Sequence, residues 1–384
     1  MNSPSNPTDP IAAVTHSDPY PFYADLAVHR PLYRDEALRL WIATSAAAVT
    51  AVLTSDLGRV RPAAEPVPTA LVGSPAGEIF RHLVRMNDGP GHCPFKQAVS
   101  AALGALDPAL AAARSREWAG QMATEPLAGF AFHLPVYVTA SLLGVPDGDL
   151  QQTALQVSDL VGSFAPGAGP EPLARGKAAA GHLLESFRGL LSGSGLSGLL
   201  DALREEARSV GREDNDVIIA NAIGFMFQSH DATAGLIGNA LVALASHPEV
   251  TAQVTADRGL VPSLLQEVLR FDPSVQNTRR FVVRDGAVAG QEMNEGDAVL
   301  VVLAAANRDP AANPRPDRFE LLREDRKIFT FGAGIHACPG EALATTIAQA
   351  GIDRLLDSGI DLQRFLAARV YRPSGNVRMP FASQ

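Results

Sequence analysis

Over residues 79–270 apolar positions recur at helical spacing, alanine and leucine are dense and β-branched residues are sparse, which predicts a succession of helices. Glycine, proline and small polar residues interrupt the pattern at 88–91, 146–148, 162–172, 193–198 and 247–248. Residues 216–246 contain no proline and predict one very long helix, with Asp214 or Asn215 as its cap and Pro248 as its stop. Upstream, residues 20–28 read as a short helix, 39–43 (RLWIA) as a strand and 45–54 as a helix. Residues 62–77 carry four prolines and two glycines and read as a long irregular loop, the kind that forms lids or binding loops.

After Asp272-Pro273 the texture changes. Residues 279–285, 286–293 and 297–306 read as strands, with turns at Asp285-Gly286 and Glu295-Gly296. Residues 306–335 are irregular and proline-rich, and 338–358 read as a last helix. Residues 1–16 read as a flexible arm and 17–384 as a single domain. The fold class is mainly α with small β-sheets, an α+β chain.

Composition narrows the function classes. With 46% hydrophobic and 19% charged residues, the chain has ample apolar surface for a large core and is not disordered. The net charge of −9 argues against nucleic acid or an anionic membrane as partner. Two cysteines, Cys93 and Cys338, exclude a disulfide framework and fit a reducing cytoplasm. No apolar run reaches about 18 residues, and the start shows neither a basic stretch nor an apolar core, so a cytoplasmic protein is expected.

The chemistry concentrates in Phe331-Gly332-Ala333-Gly334-Ile335-His336-Ala337-Cys338-Pro339-Gly340, just before the last helix. Two glycines permit a tight turn with close backbone approach. The N–H groups of the helix start favour a thiolate, and a lone thiolate held this way can ligate iron. For an isolated cysteine the competing reading is a buried apolar side chain in a Gly-rich turn.

The ten-residue pattern resembles the haem-binding loop of the cytochrome P450 family, F-x-x-G-x-x-x-C-x-G, with Phe331, Gly334, Cys338 and Gly340 at its fixed positions. The resemblance implies a P450-like fold with a long distal helix over the haem and the cysteine loop beneath it. It implies that Cys338 is the axial thiolate of haem b and that Phe331, Gly332 and Gly340 shape the loop, with His336 at a propionate. Glu267 and Arg270 fit the family's E-x-x-R, one face of a helix, and Arg318 in Asn313-Pro314-Arg315-Pro316-Asp317-Arg318-Phe319 fits the third member of that structural group. Asp272 to Arg280 resembles the stretch after that helix, which implies Arg280 as a propionate ligand and Val275, Gln276 and Asn277 as pocket wall. Asp88-Gly89-Pro90-Gly91-His92 resembles the family's D-x-P-x-H helix start, which implies His92 and Lys96 as further propionate contacts.

The distal segment Gln228-Ser229-His230-Asp231-Ala232-Thr233-Ala234-Gly235-Leu236-Ile237-Gly238-Asn239 resembles the family's A-G-x-[DE]-T-T-A-x-L-I-G-N but departs from it at Gln228, Ser229 and Ala232. The acid, Asp231, is kept, while the hydroxyl that normally follows it is absent. Thr233 is turned about 100° away on the helix. Three readings stand: a substrate hydroxyl, an ordered water or Ser229 completes the proton relay; the chemistry needs less proton delivery; or Thr233 serves after a helix bulge. His230 is expected to face away from the haem. Gln228, with its amide toward the haem, Phe225, Ser229 and Ala232 complete the expected pocket, together with the 62–79 loop and residues 157–164.

The expected function is a haem-thiolate monooxygenase. It would oxidise a small, heteroatom-bearing intermediate of secondary metabolism with O2 and electrons from a separate ferredoxin or flavodoxin. A carrier protein bearing the substrate is a candidate partner. The alternatives are a peroxide-driven, oxidative-coupling or nitric-oxide-using variant, and a non-catalytic haem carrier or sensor.

Overall fold

Strands Leu40–Ala43 and Ala298–Val301 run parallel at the centre of a five-stranded sheet ordered Leu32–Asp35, Leu40–Ala43, Ala298–Val301, Thr278–Val282, Gly58–Arg59. Alternation at period two puts Ile42 and Leu300 on one face with Tyr20 and Tyr23. Val299 and Val301 lie on the other, against Val49, Val52 and Leu53 of helix Ala46–Thr54. Ser45 caps that helix by accepting from the Ala48 N–H at 3.2 Å. The computed structural model describes residues 6–89, 92–165, 167–193 and 197–382. The chain forms two compact units: Met1–Pro62 with Gly235–Cys338 and Leu355–Gln384, and Ala63–Ala234 with Pro339–Arg354.

The first unit holds the sheet. Its third expected strand, 297–306, ends at Val301, and Leu303–Asn307 is a short helix, because the run Ala304-Ala305-Ala306 has the highest helix propensity and little to pack in a pleat. The expected strand 286–293 is instead a hairpin of Gly286–Val288 and Gln291–Met293, reversed where Ala289 and Gly290 take φ of 49° and 78°. Of the arm expected over 1–16, residues 1–5 lie outside the described residues. Ala12–Thr15 forms a 3-10 turn with Ala13 and Val14 fully buried. Buried Arg378 holds it there, donating to the carbonyls of Val14 at 3.0 Å and His16 at 2.6 Å. Asp272 anchors Arg378 Nε at 2.9 Å and also accepts from the Tyr20 hydroxyl. Burial and then the Asp272 charge push the Tyr20 hydroxyl well above its usual range, so it stays a donor.

The second unit is helical: Pro75–His82, His92–Gly104, Pro108–Gln121, Leu127–Leu142, Leu150–Ser163, Pro170–Ser192 and Leu199–Ser209, then the first two-thirds of the long helix. The expected loop is shorter than 62–77. Ser74 caps Pro75–His82 and Leu71, inside the loop, is buried.

The long helix runs Asn215–Ser246 without a π-bulge. Asp214 caps it, its carboxylate accepting from the N–H groups of Asp216 at 2.9 Å and Val217 at 3.4 Å. In the first unit, a Cβ at Gly235 would stand 2.7 Å from both the Arg378 carbonyl oxygen and the Ser274 Cβ. Gly235→Ala would gain about 1 kcal/mol on an exposed helical face. Here overpacking against a backbone oxygen costs about 1–3 kcal/mol and exceeds that gain. The variant is therefore expected to unfold at lower urea than the wild type, at unchanged slope.

Candidate functional site

In the first unit, the loop before Cys338 is closed by its own backbone. Gly332 N–H donates to Phe329 O at 2.8 Å, Ala337 N–H to Gly334 O at 3.0 Å and Cys338 N–H to Phe331 O at 2.9 Å. Gly334 takes φ of 69°, and a Cβ there would meet the Leu53 carbonyl oxygen at 2.9 Å, so both the turn and the close approach require glycine. Phe331, Gly332 and His336 are half-buried, and Cys338 is exposed and in no disulfide. The helix expected over 338–358 begins at Glu341 rather than at the cysteine, because the loop's 3-10 turn and Pro339-Gly340 come first, and it is not the last, since Leu362–Ala368 follows. The sulfur thus precedes a helix start, where the dipole favours a thiolate.

The donor chemistry fits a haem iron, which takes one soft axial thiolate from the protein. Among the described residues no group of three His, Cys, Asp or Glu side chains could hold a bare metal ion.

Glu267 and Arg270 form the expected pair, both fully buried in helix Val261–Phe271, with Arg270 Nη2 2.7 Å and Nε 3.1 Å from the carboxylate. The third member is not the Arg318 side chain, which is exposed; Arg318 contributes its carbonyl, accepting from Arg270 Nη2 at 2.9 Å. Arg326 at 2.9 Å and Arg323 at 3.3 Å bring the further cations to Glu267. Four arginines lie between 315 and 326, and only the path of the loop selects among them. Burial alone raises the Glu267 carboxyl. The hydrogen bonds and charge of Arg270, the Glu320 N–H and Arg326 outweigh it and hold the group below the usual carboxylate range.

Val275 is half-buried, and the amide N–H groups of Gln276 and Asn277 are turned onto nearby carbonyls. Gln276 is fully buried and donates to Pro273 O at 2.6 Å, and Asn277 donates to Gly375 O at 2.9 Å. Both amides brace irregular backbone. Arg280 is buried on strand Thr278–Val282, with Nη1 2.8 Å from the Arg279 carbonyl.

In the second unit, His92 opens helix His92–Gly104 and is buried, while Lys96, one turn on, is half-buried; Pro90 and Gly91 of the expected helix start lie outside the described residues. On the long helix, Gln228 does not extend its amide outward: Nε2 donates to the Gly224 carbonyl at 2.7 Å. Ser229 likewise donates to Met226 O at 2.8 Å. Each of these donors is thus turned onto a carbonyl of its own helix. Thr233 is buried and its hydroxyl has no hydrogen-bond partner among the described residues; without a bulge it does not move beside Asp231. Phe225 is half-buried, and Phe80, Phe164 and Phe227 make an edge-to-face aromatic series with centroids 5.6 and 5.3 Å apart. Val157 is fully buried in its helix.

Asp231 is paired where sequence gave no hint. Its Oδ1 lies 2.7 Å from His230 Nδ1, and His230 Nε2 lies 2.9 Å from the Ser158 hydroxyl. Neighbours in sequence do not face each other on a helix, so only the position of helix Leu150–Ser163 turns His230 into a partner.

The family model for Cytochrome P450 matches residues 182–358. The chain is 30% identical to "Cyclomarin C epoxidase CymV" of Salinispora arenicola over 357 residues, 87% of each protein. It is 33% identical to "Putative cytochrome P450 133B2" of Xylella fastidiosa over 235 residues, 59% of this chain, and that match spans 58% of the relative's length. Among solved structures it resembles P450 RauA complexed with a biosynthetic intermediate of aurachin RE, at TM-score 0.81 and 27% identity, covering 98% of this chain and 96% of that one. The chain belongs to the cytochrome P450 family. No described helix is long and apolar enough to cross a membrane.

Proposed function

We propose that the protein is a haem-thiolate monooxygenase acting on a small organic intermediate of secondary metabolism, with O2 and with electrons from a separate ferredoxin or flavodoxin. The observation that carries this reading is the exposed Cys338 thiol at the end of a backbone-closed turn. Cys338 would be the axial ligand of haem b, and His92, Lys96, Arg280 and His336 would take the propionates. Bound there, haem supplies the activation of dioxygen that no side chain can provide.

The chain's own residues do the rest. The turn fixes the sulfur just ahead of the start of the following helix. Asp231 would pass on the protons that dioxygen reduction consumes. The relative named as a cyclomarin C epoxidase and the neighbour holding an aurachin RE intermediate support secondary metabolism as the substrate's source. The substrate is proposed to be heteroatom-bearing, with the Gln276 Oε1, which has no hydrogen-bond partner among the described residues, as a polar group not used by the protein. The test is the difference spectrum of the reduced, haem-loaded protein with carbon monoxide. A thiolate-type band is expected, and its absence overturns the reading.

Ala232 favours a second reading, a peroxide-driven enzyme, since the neighbouring side chains do not restore the missing hydroxyl. That reading expects full turnover with hydrogen peroxide alone and no gain from ferredoxin. Monooxygenation expects ferredoxin-dependent turnover several-fold above the peroxide rate.

A further inference from the structure

We propose that Ser158 and His230 form a proton path that reloads Asp231, in place of the hydroxyl missing at position 232. The inference rests on the haem-thiolate reading above. All three residues lie in one unit, on helices Leu150–Ser163 and Asn215–Ser246. A carboxylate only accepts, so Asp231 Oδ1 takes the hydrogen bond of His230 Nδ1–H at 2.7 Å. Nε2 is then the acceptor, and the Ser158 hydroxyl donates to it at 2.9 Å. His230 is 1% exposed and its ring lies 5.2 Å from that of Phe132, which sets its resting orientation. Ser158 is half-buried and the Asp231 side chain is 25% exposed, so the two ends of the chain are open and its middle is closed.

This is more than a buried histidine satisfying its ring nitrogens. A tether between two helices needs only one hydrogen bond. Here both ring nitrogens are engaged in series, ending on the single acid of the distal segment. Asp231, ionised at rest, takes the Nδ1 proton and hands it to reduced oxygen, while Nε2 takes the proton of Ser158. A solvent proton restores the Ser158 hydroxyl, so no alkoxide remains, and a turn of the imidazole between transfers returns the N–H to the Asp231 side. The proton count follows the electrons supplied by ferredoxin: two of each convert O2 to hydrogen peroxide, and four of each convert it to two waters. A slow relay raises the share of peroxide, because the second oxygen atom leaves as water only after further protonation.

Two titratable groups among the described residues face His230. They are Asp231 on its own helix and His133 on helix Leu127–Leu142. Burial first, and then the neighbouring His230, push His133 below the usual imidazole range, against an opposing pull from Glu125.

The experiment uses dioxygen as the probe, needs no substrate, and is run on haem-loaded protein with a ferredoxin and its NADPH-dependent reductase. Only proteins that show the thiolate band with carbon monoxide enter it, so failure of the haem-thiolate reading is seen first and separately. The measurements are the peroxide-to-water ratio against pH and the proton spectrum of the diamagnetic ferrous–carbon monoxide form. The wild type is expected to show a downfield imidazole N–H resonance that His230→Gln removes. Ser158→Ala is expected to keep that resonance, since the Asp231 pair survives, yet to raise the peroxide-to-water ratio toward about 100-fold, the lower end of what a positioned proton donor supplies. In both variants the slope of the ratio with pH is expected to disappear. A structural tether predicts lower stability in both variants with ratio and pH slope unchanged, and that result overturns the proposal. A wild type without the downfield resonance overturns it as well.

Discussion

Cys338→Ala is expected to abolish the carbon monoxide band of the haem-loaded protein while leaving the apoprotein's urea midpoint where it was. The two halves of this expectation have different causes. The loop is closed by backbone bonds of Phe329, Phe331 and Gly334, none of which needs the thiol. Its side chain is exposed, and surface substitutions of that kind change stability by about 0.5 kcal/mol or less. The ligand, by contrast, has no substitute among the residues that follow the turn. Cys93→Ala is expected to keep the band at full intensity, because Cys93 lies on helix His92–Gly104, outside the loop. A band that survives Cys338→Ala would place the iron elsewhere and remove the basis of the proposed activity.

Glu267→Ala is expected to cost about 3–5 kcal/mol and to yield little folded protein at 37 °C, since it leaves Arg270, fully buried, without its counter-charge. Arg323 and Arg326 lose the same partner, so their loops loosen with it. Glu267→Gln keeps the shape and part of the hydrogen bonding and is expected to cost less. The pH dependence has a definite sign. The folded-state carboxyl lies below its unfolded value, so its contribution is fully present above about pH 4.3 and is lost as pH falls through the lower folded value. The stability gap between wild type and Glu267→Gln should therefore shrink on acidification below that point. A gap constant with pH, measured by urea unfolding, would show that Glu267 contributes by packing rather than by charge.

Local chemistry was legible wherever it depends on neighbours along the chain. Asp214 caps the long helix, and that helix stops before Pro248, because capping and proline act within one turn. The strand signals were weaker. Residues 297–306 carry an apolar run that serves a strand up to Val301 and a helix from Leu303, and the run itself does not mark the switch. Strand Leu32–Asp35 has no apolar alternation that distinguishes it, and it pairs at a sheet edge beside Leu40–Ala43.

The sequence by itself determined the family, and it singled out Cys338 as the proposed ligand and Asp231 as the proposed acid. Phe331, Gly334, Cys338 and Gly340 stand at spacings that one turn imposes, and Asp231 keeps its place on a helix of continuous period. Only the tertiary structure decided the partners. It joined Glu267 to Arg323 and Arg326 rather than to the Arg318 side chain. It folded the polar groups of Gln228, Ser229, Gln276 and Asn277 back onto carbonyls. It brought Ser158 to His230 across 72 residues of chain. A hydrogen bond needs its partner within about 3 Å and in line, and for groups far apart in sequence that placement is set by how the helices pack.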